Sequence, residues 1–289
     1  MRLEKSEQYK EFFKPDYMMG PNSLRLLDEA MSTVPLERCR KTGVSGVSDR
    51  PGVSGVSGVS ARSGASDVSE VSDRSGVPGE SEAQVRGGSG QRILDLGCGT
   101  GITSLFLARE TGAQVFAVDL WCSATDNQKR MEAWGVGEQV VPLHADANDL
   151  PFAEGYFDAV VSIDSYHYFA REASFFKEKV LPFVKSGGQV LIAIPGLKEE
   201  FGETVPKEMT DWAGEEWEYF HSPAWWKKTI GESEQIESVK TWELECFDLA
   251  WEEWFATGAE YAVRDQEAFG KGLGQYLNFV GIAVKKISD

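Results

Sequence analysis

The sequence predicts an α/β fold: a doubly wound, mostly parallel sheet with helices on both faces. Three observations predict it. Between Gln91 and Pro195, short runs that are apolar at nearly every position alternate with amphipathic helical stretches, as expected of strands buried on both faces. The first run, Ile93-Leu94-Asp95-Leu96, leads through Gly97-Cys98-Gly99-Thr100-Gly101 into a helix, and that strand–turn–helix marks a ligand crevice. The second run ends in an acid, Asp119, where a doubly wound fold presents side chains to a bound ligand.

The elements follow in order. Leu3 to Phe13 predicts a short helix stopped by Pro15. The apolar loop Asp16-Tyr17-Met18-Met19-Gly20-Pro21 either covers a bound ligand or plugs the core. Asn22 or Ser23 can cap a helix over Leu24 to Met31, where Leu24, Leu27 and Met31 recur at helical spacing. Strands are expected at Arg92 to Leu96, Gln114 to Val118, Gln139 to Leu143, Phe157 to Ile163 and Gln189 to Ile194. The helices between them are Ile102 to Glu110, Ala124 to Trp134, and part of Ala173 to Val184, ended by Gly187-Gly188. Beyond Pro195, residues 197–230 read as helical pieces, and Ser238 to Cys246 and Tyr276 to Lys285 read as strands. Between those strands Asp248 to Phe269 reads as an amphipathic helical insertion.

From Gly43 to Ser81 the chain runs in triplets such as Gly52-Val53-Ser54 and Asp67-Val68-Ser69. Asp49, Ala61, Asp67, Glu70 and Asp73 occupy positions where a collagen helix admits only glycine, so a triple helix is excluded. With valine as its only large apolar side chain the segment has too little core for a solenoid, and it is expected to be a disordered insertion. The expected domains are a helical cap over 1–42, this insertion over 43–90, and a main domain over 91–289.

The 289 residues carry a net charge of −17. A nucleic-acid surface needs clustered basic residues to neutralise phosphates, and none is apparent, so neither nucleic acid nor an anionic membrane is an expected partner. No stretch reaches the length of a membrane span, and Met1 to Lys14 has no apolar signal core, which leads to the expectation of a cytoplasmic protein. Cys39, Cys98, Cys122 and Cys246 lack ligand-type spacing, and no metal site is expected.

The turn has the spacing Asp95-x-Gly97-x-Gly99-x-Gly101. Glycine at alternate positions lets the backbone approach a ligand and leaves N–H groups free to bind its oxygens. A dinucleotide fingerprint would place a further glycine at Ile102. The form seen resembles motif I of the class I methyltransferases, which bind S-adenosylmethionine. His144-Ala145-Asp146-Ala147-Asn148-Asp149-Leu150-Pro151-Phe152 resembles the D-A-x-x-L-P-F segment of the UbiE-like branch, and Phe157-Asp158-Ala159-Val160 its F-D-x-V strand. The resemblance covers roughly residues 91–195 and implies a Rossmann-like, seven-stranded sheet whose last strand is antiparallel. It also implies S-adenosylmethionine as cofactor. Asp95, Gly97, Gly99 and Gly101 would hold the methionine end and Asp119 the ribose. Asp146 and Ala147 would meet the adenine, and Ile163 lies at the same site. Trp121 either stacks beside the adenine or fills space between helix and sheet.

The reaction implied is methyl transfer to a small-molecule acceptor. Candidates for catalysis lie after the fourth strand, where the carboxyl ends of parallel strands form the crevice. His167 is a candidate base, against the reading of a packed helix-start histidine; Asp164 can position substrate or bind a cation, or cap the next helix; His221 is a further base candidate. Trp212, Trp217, Trp225, Trp226, Trp242, Trp251 and Trp254 crowd the C-terminal third. There, helices in 197–235 and 248–270 are the expected lid on the substrate, and the tryptophans either cage an amine or pack as core. Two other readings stand beside this one. An NAD(P)-dependent oxidoreductase is opposed by Ile102 and by the segment around Asp146. A non-catalytic S-adenosylmethionine-binding protein would keep the same pocket.

Overall fold

The computed structural model describes residues 3–37, 90–170, 172, 174–231 and 233–288. These fall in one compact unit formed by Met1–Cys39 and Gly88–Asp289. The triplet segment expected over 43–90 lies outside the described residues, apart from Gly90.

Seven strands form one sheet: β1 (Arg92–Leu96), β2 (Gln114–Asp119), β3 (Val140–His144), β4 (Phe157–Ile163), β5 (Val184–Leu197), β6 (Ile236–Glu243) and β7 (Leu277–Lys286), in the order β3-β2-β1-β4-β5-β7-β6. The first five pair in parallel, while β7 runs antiparallel to both β5 and β6. The parallel strands are buried on both faces because consecutive side chains enter two different cores. Ile93, Val161, Leu191 and Phe279 point into one; Leu94, Val160, Val190 and Val280 point into the other. This is why β1, β4 and β5 read as apolar runs rather than as alternating patterns.

The helices are α1 (Ser23–Thr33), α2 (Ile102–Thr111), α3 (Ala124–Ala133), α4 (Tyr166–Phe169), α5 (Lys207–Ala213), α6 (Pro223–Ile230), α7 (Phe247–Phe255) and α8 (Glu260–Gly270). Asn22 caps α1, its side-chain oxygen accepting from Leu24 N at 3.1 Å. The segment expected as a helix from Leu3 is a 3-10 stretch over Ser6–Phe12, kinked at Tyr9. One further expectation is corrected in part. Ala173 to Val184 is helical in part, as expected, but Gly187-Gly188 does not end it. A π-helical turn over Phe176–Val180 passes into a single 3-10 turn, and β5 has already begun at Val184. The two glycines lie inside β5, where the register against β4 slips from Phe157↔Val184 to Ala159↔Gln189. Gly187 there takes φ +67, and a Cβ on Gly188 would come 2.9 Å from Asp158 O. The helical insertion expected over Asp248 to Phe269 consists of two helices, with Gly258 left-handed (φ +65) between them.

The N-terminal elements are fastened across the fold by Arg25, which is almost wholly buried on α1. Its guanidinium donates to Glu253 on α7 at 2.6 Å, to Glu7 at 2.5 Å and to Ser6 Oγ at 3.0 Å. Asn22 Nδ2 donates to Glu253 as well, at 2.6 Å. Asp28 accepts from Ser6 N and Oγ, and Glu29 from the N–H groups of Glu245 and Cys246. The Asp16–Pro21 loop is thereby held from both sides. At the amino ends of the paired strands, Glu37 N donates to Gln189 Oε1 at 2.7 Å, and Gln91 Nε2 donates to Glu37 O at 3.3 Å. The chain therefore leaves the described fold at residue 37 and re-enters it at residue 90 within hydrogen-bond reach of the same place.

Candidate functional site

The glycine turn hangs from the end of β2. Gly97 N and Cys98 N both donate to Val118 O, at 2.8 and 3.0 Å. Gly99 N donates to Asp119 Oδ2 at 2.8 Å, while Asp119 Oδ1 accepts from the N–H groups of Trp121 and Cys122, each at 2.7 Å. Asp119 thus ties the turn to the loop after β2. Gly97 and Gly99 are required by their conformation, φ +77 and +54, and by their neighbours. A Cβ would lie 2.3 Å from Ser165 Oγ at the first and 3.0 Å from Met19 Sδ at the second.

Above this turn, at the carboxyl ends of β1, β2 and β4, lies a cavity of about 560 Å³, within the range of small-molecule and cofactor sites. Its walls include Gly97, Gly99, Asp119, Trp121, Asp146, Ala147, Ile163 and Asp164. The Asp16–Pro21 loop supplies the opposite wall through Tyr17, Met19, Gly20 and Pro21. Thr100 Oγ1 donates to Tyr17 O at 2.5 Å and pins that loop to the turn.

The structure does not bring every expected residue to this cavity. Asp95 lies beneath the turn, fully buried, and its Oδ2 accepts from the hydroxyls of Thr103 and Ser104 at 2.7 and 2.6 Å. Burial pushes its carboxyl up to about 6, although the two hydroxyls oppose the shift. Gly101 packs against α3, where a Cβ would lie 2.3 Å from Met131 Cε. His167 and His221 meet at a second, smaller cavity of about 200 Å³ with Glu218, Tyr219, Trp225 and Trp226. His167 is 2% exposed, has no hydrogen-bond partner among the described residues, and is held neutral because burial pushes its imidazole down to about 3. His221 stacks on Trp225 with ring centroids 3.5 Å apart and pairs with Glu200 at 3.0 Å. Of the three catalytic candidates, only Asp164 faces the large cavity.

The reason lies in the geometry after β4. Asp164 takes φ +55, which turns the chain sharply at the strand end. The single turn of α4 follows, with successive side chains about 100° apart. Tyr168 therefore points to the large cavity while His167, one residue earlier, points away from it. Burial and the charge of Asp265 push the Asp164 carboxyl up to about 8. Tyr168, raised for the same reasons, meets Trp121 edge-on at 5.3 Å between centroids. The N–H and side-chain amide of Asn148 hold Asp146 below the usual carboxylate range through bonds of 2.8 and 2.9 Å to Oδ1.

No residue of 197–235 or 248–270 lines the large cavity among the described residues; the wall expected from those helices comes from the N-terminal loop. The tryptophans there have structural partners. Trp212 and Trp254 donate to opposite oxygens of Asp265, at 2.8 and 2.9 Å. Trp242 covers Gly281 across the β6–β7 ladder, and Trp226 and Trp251 are core. Sequence reasoning missed Tyr168 and Glu172 as cavity residues. The only signal for them was their place just after β4.

Residues 93–188 match the family model described as a methyltransferase domain. The demethylmenaquinone methyltransferase of Mycobacterium bovis is 32% identical over 108 residues, covering 37% of this chain and 42% of that protein. The glycine/sarcosine/dimethylglycine N-methyltransferase of Actinopolyspora halophila is 31% identical over 147 residues, covering 48% of this chain and 24% of that protein. Among solved structures, Haemonchus contortus phosphoethanolamine N-methyltransferase 2 in complex with S-adenosyl-L-methionine shares the fold with a TM-score of 0.57 at 22% identity, covering 70% of this chain and 50% of that one. Residues 93–188 are thus similar to a methyltransferase domain, and the fold is shared with a solved methyltransferase structure. The chain spans less than half the length of these curated relatives.

Proposed function

We propose that the protein transfers a methyl group from S-adenosylmethionine to a small-molecule acceptor bound in the large cavity. The observation that carries this reading is the joint placement of the glycine turn, Asp119, Asp146 and Asp164 around one cavity at the strand ends. The residues present fit the cofactor. Gly97 and Gly99 leave a cradle that any Cβ would fill. Asp146 Oδ2 has no protein partner among the described residues and can accept from an adenine amino group, with Ala147 beside it and the Trp121 ring, 68% exposed, at the wall. A carboxylate offers about four acceptor sites; backbone N–H groups use three on Asp119, leaving one for a ribose hydroxyl.

When bound, S-adenosylmethionine supplies a methyl on a sulfonium sulfur, which leaves with the carbon–sulfur electron pair as a thioether. The protein's part is alignment and exclusion of water. The glycine turn and Ile163 fix the near end of the site, and Tyr17 and Met19 close it from above. Asp164 is the one titratable candidate placed to meet an acceptor. Asp95 and Gly101 support the turn from below rather than touch the ligand. The segment around Asp146 favours the UbiE-like branch, and the acidic composition favours a soluble, cytoplasmic enzyme. The relatives' names include two N-methyltransferases and a demethylmenaquinone methyltransferase, so the names leave the acceptor open.

Isothermal titration with S-adenosylhomocysteine tests the reading directly. Micromolar binding by the native protein is expected, and at least a tenfold loss in Asp119→Ala and in Gly97→Val. Absence of binding by the native protein would end the proposal. Binding with no turnover across amine, hydroxyl, thiol and carbon acceptors would favour a non-catalytic cofactor-binding protein instead.

A further inference from the structure

Four carboxylates line the large cavity, Asp119, Asp146, Asp164 and Glu172, and among the described residues no lysine, arginine or histidine does. Asp119 and Asp146 already accept hydrogen bonds from protein donors. The side chains of Asp164 and Glu172 have no hydrogen-bond or ion-pair partner among the described residues. Asp164 is partly buried and Glu172 is exposed at the rim, so both carboxylates stand open to a cation entering the cavity. Asp265, fixed by two indole N–H groups, adds a further negative charge behind Asp164. A wall of this sign repels a phosphate or carboxylate on the acceptor and attracts an ammonium.

The rest of the wall is aromatic and soft. Trp121 and Tyr168 meet edge-on, and Met19 is more than half exposed on the covering loop. Aromatic faces next to carboxylates bind alkylated ammonium groups through the ring quadrupole. Gly20 passes so close to Asp164 that a Cβ would lie 2.6 Å from Oδ2. The loop can therefore shut over the carboxylate only because it carries no side chain there.

On the methyltransferase reading above, we infer that the acceptor is a cationic amine without an anionic group, held at its nitrogen by Asp164 against the Trp121 and Tyr168 rings. The bound ammonium passes one proton to Asp164, leaving a neutral carboxylic acid and an amine whose lone pair is free to attack. The raised affinity of Asp164 for a proton suits it to that exchange.

Three matched probes test the inference: choline, its neutral isostere 3,3-dimethylbutanol, and phosphocholine. Each is titrated into the protein saturated with S-adenosylhomocysteine. The native protein should bind choline at least tenfold more tightly than either of the others, and Asp164→Asn should abolish that preference. Asparagine tolerates a left-handed backbone, so the variant should keep the fold, and its affinity for S-adenosylhomocysteine should stay within twofold of native. Equal binding of choline and 3,3-dimethylbutanol, or tightest binding of phosphocholine, would overturn the inference. So would an Asp164→Asn variant that loses S-adenosylhomocysteine but keeps choline, since the carboxylate would then hold the cofactor's own ammonium. Failure of native protein to bind S-adenosylhomocysteine sinks the methyltransferase reading, and this one with it. Binding of S-adenosylhomocysteine with no preference for ammonium sinks this one alone.

Discussion

At the scale of the residue, Asp164 carries the most consequence. It is a non-glycine residue in the left-handed region at the end of β4, a conformation that costs roughly 1–3 kcal/mol and persists where the surroundings over-determine it. Its carboxyl is raised from 3.8 to about 8 by burial and by Asp265. A carboxyl whose folded value lies above its unfolded one contributes stability below the unfolded value, and that contribution is lost as pH rises through the folded one. The native protein should therefore lose stability between about pH 4 and about pH 8, and Asp164→Asn should remove that part of the slope. Thermal melts of both proteins across this range check it: the melting-temperature gap in favour of the variant should widen by a few degrees, about 2–4 °C for each kcal/mol in a domain of this size. A constant gap would show that Asp164 titrates normally. His167 behaves oppositely in sign. Its depressed value makes the folded state resist protonation, so its contribution is lost as pH falls from 6.5 towards about 3.

At the scale of the element, the α1–α7 junction decides whether the cavity has a roof. Arg25 is buried with its charge spread over Glu253, Glu7 and Ser6, and the Asp16–Pro21 loop sits directly N-terminal to the helix that carries it. Glu253 and Glu7 are 19% and 46% exposed, so water reaches part of the charge that Arg25 would leave behind. Arg25→Met should therefore lower the denaturation free energy by about 1–3 kcal/mol. The double variant Arg25→Met, Glu253→Leu should recover part of it, because Glu7 keeps Lys10 and no carboxylate of the cluster is left without a cation. Urea titration of the single and double variants measures both. The short helix α4 shows at this scale why position along the sequence does not say which side chain reaches the cavity. His167 and Tyr168 are neighbours in sequence, and only Tyr168 lines it. One helical step separates a cavity wall from a buried core, and that step depends on the turn at Asp164.

At the scale of the whole molecule, the described ends that flank residues 38–89 come together through Glu37, Gln91 and Gln189. The fold therefore closes without a long bridge. Replacing residues 40–87 by a few Gly/Ser residues should leave affinity for S-adenosylhomocysteine within twofold of native. A connection roughly tenfold shorter reduces the loop-closure cost by about 2 kcal/mol, so the melting temperature should hold or rise. A large fall in either would assign the segment a role in the folded domain.

The sequence by itself determined the parallel sheet, the glycine turn and the acids at the ends of β2 and β3. Each of these is a local demand. Strands buried on both faces must be apolar throughout, positive φ at a tight turn calls for glycine, and the residue at a strand end in this topology meets the crevice wherever the rest of the chain goes. The helix end near Gly187-Gly188 was misplaced because a glycine at positive φ marks a break without saying which element it breaks. Only the tertiary structure decided which side chains share the cavity. It brought the N-terminal loop, rather than the tryptophan-rich helices, over the glycine turn; it sent both histidines to a separate cavity; and it left Asp164 facing Trp121 and Tyr168. Those outcomes depend on contacts between residues far apart in the chain, such as Arg25 with Glu253 and Thr100 with Tyr17. No spacing along the sequence encodes them.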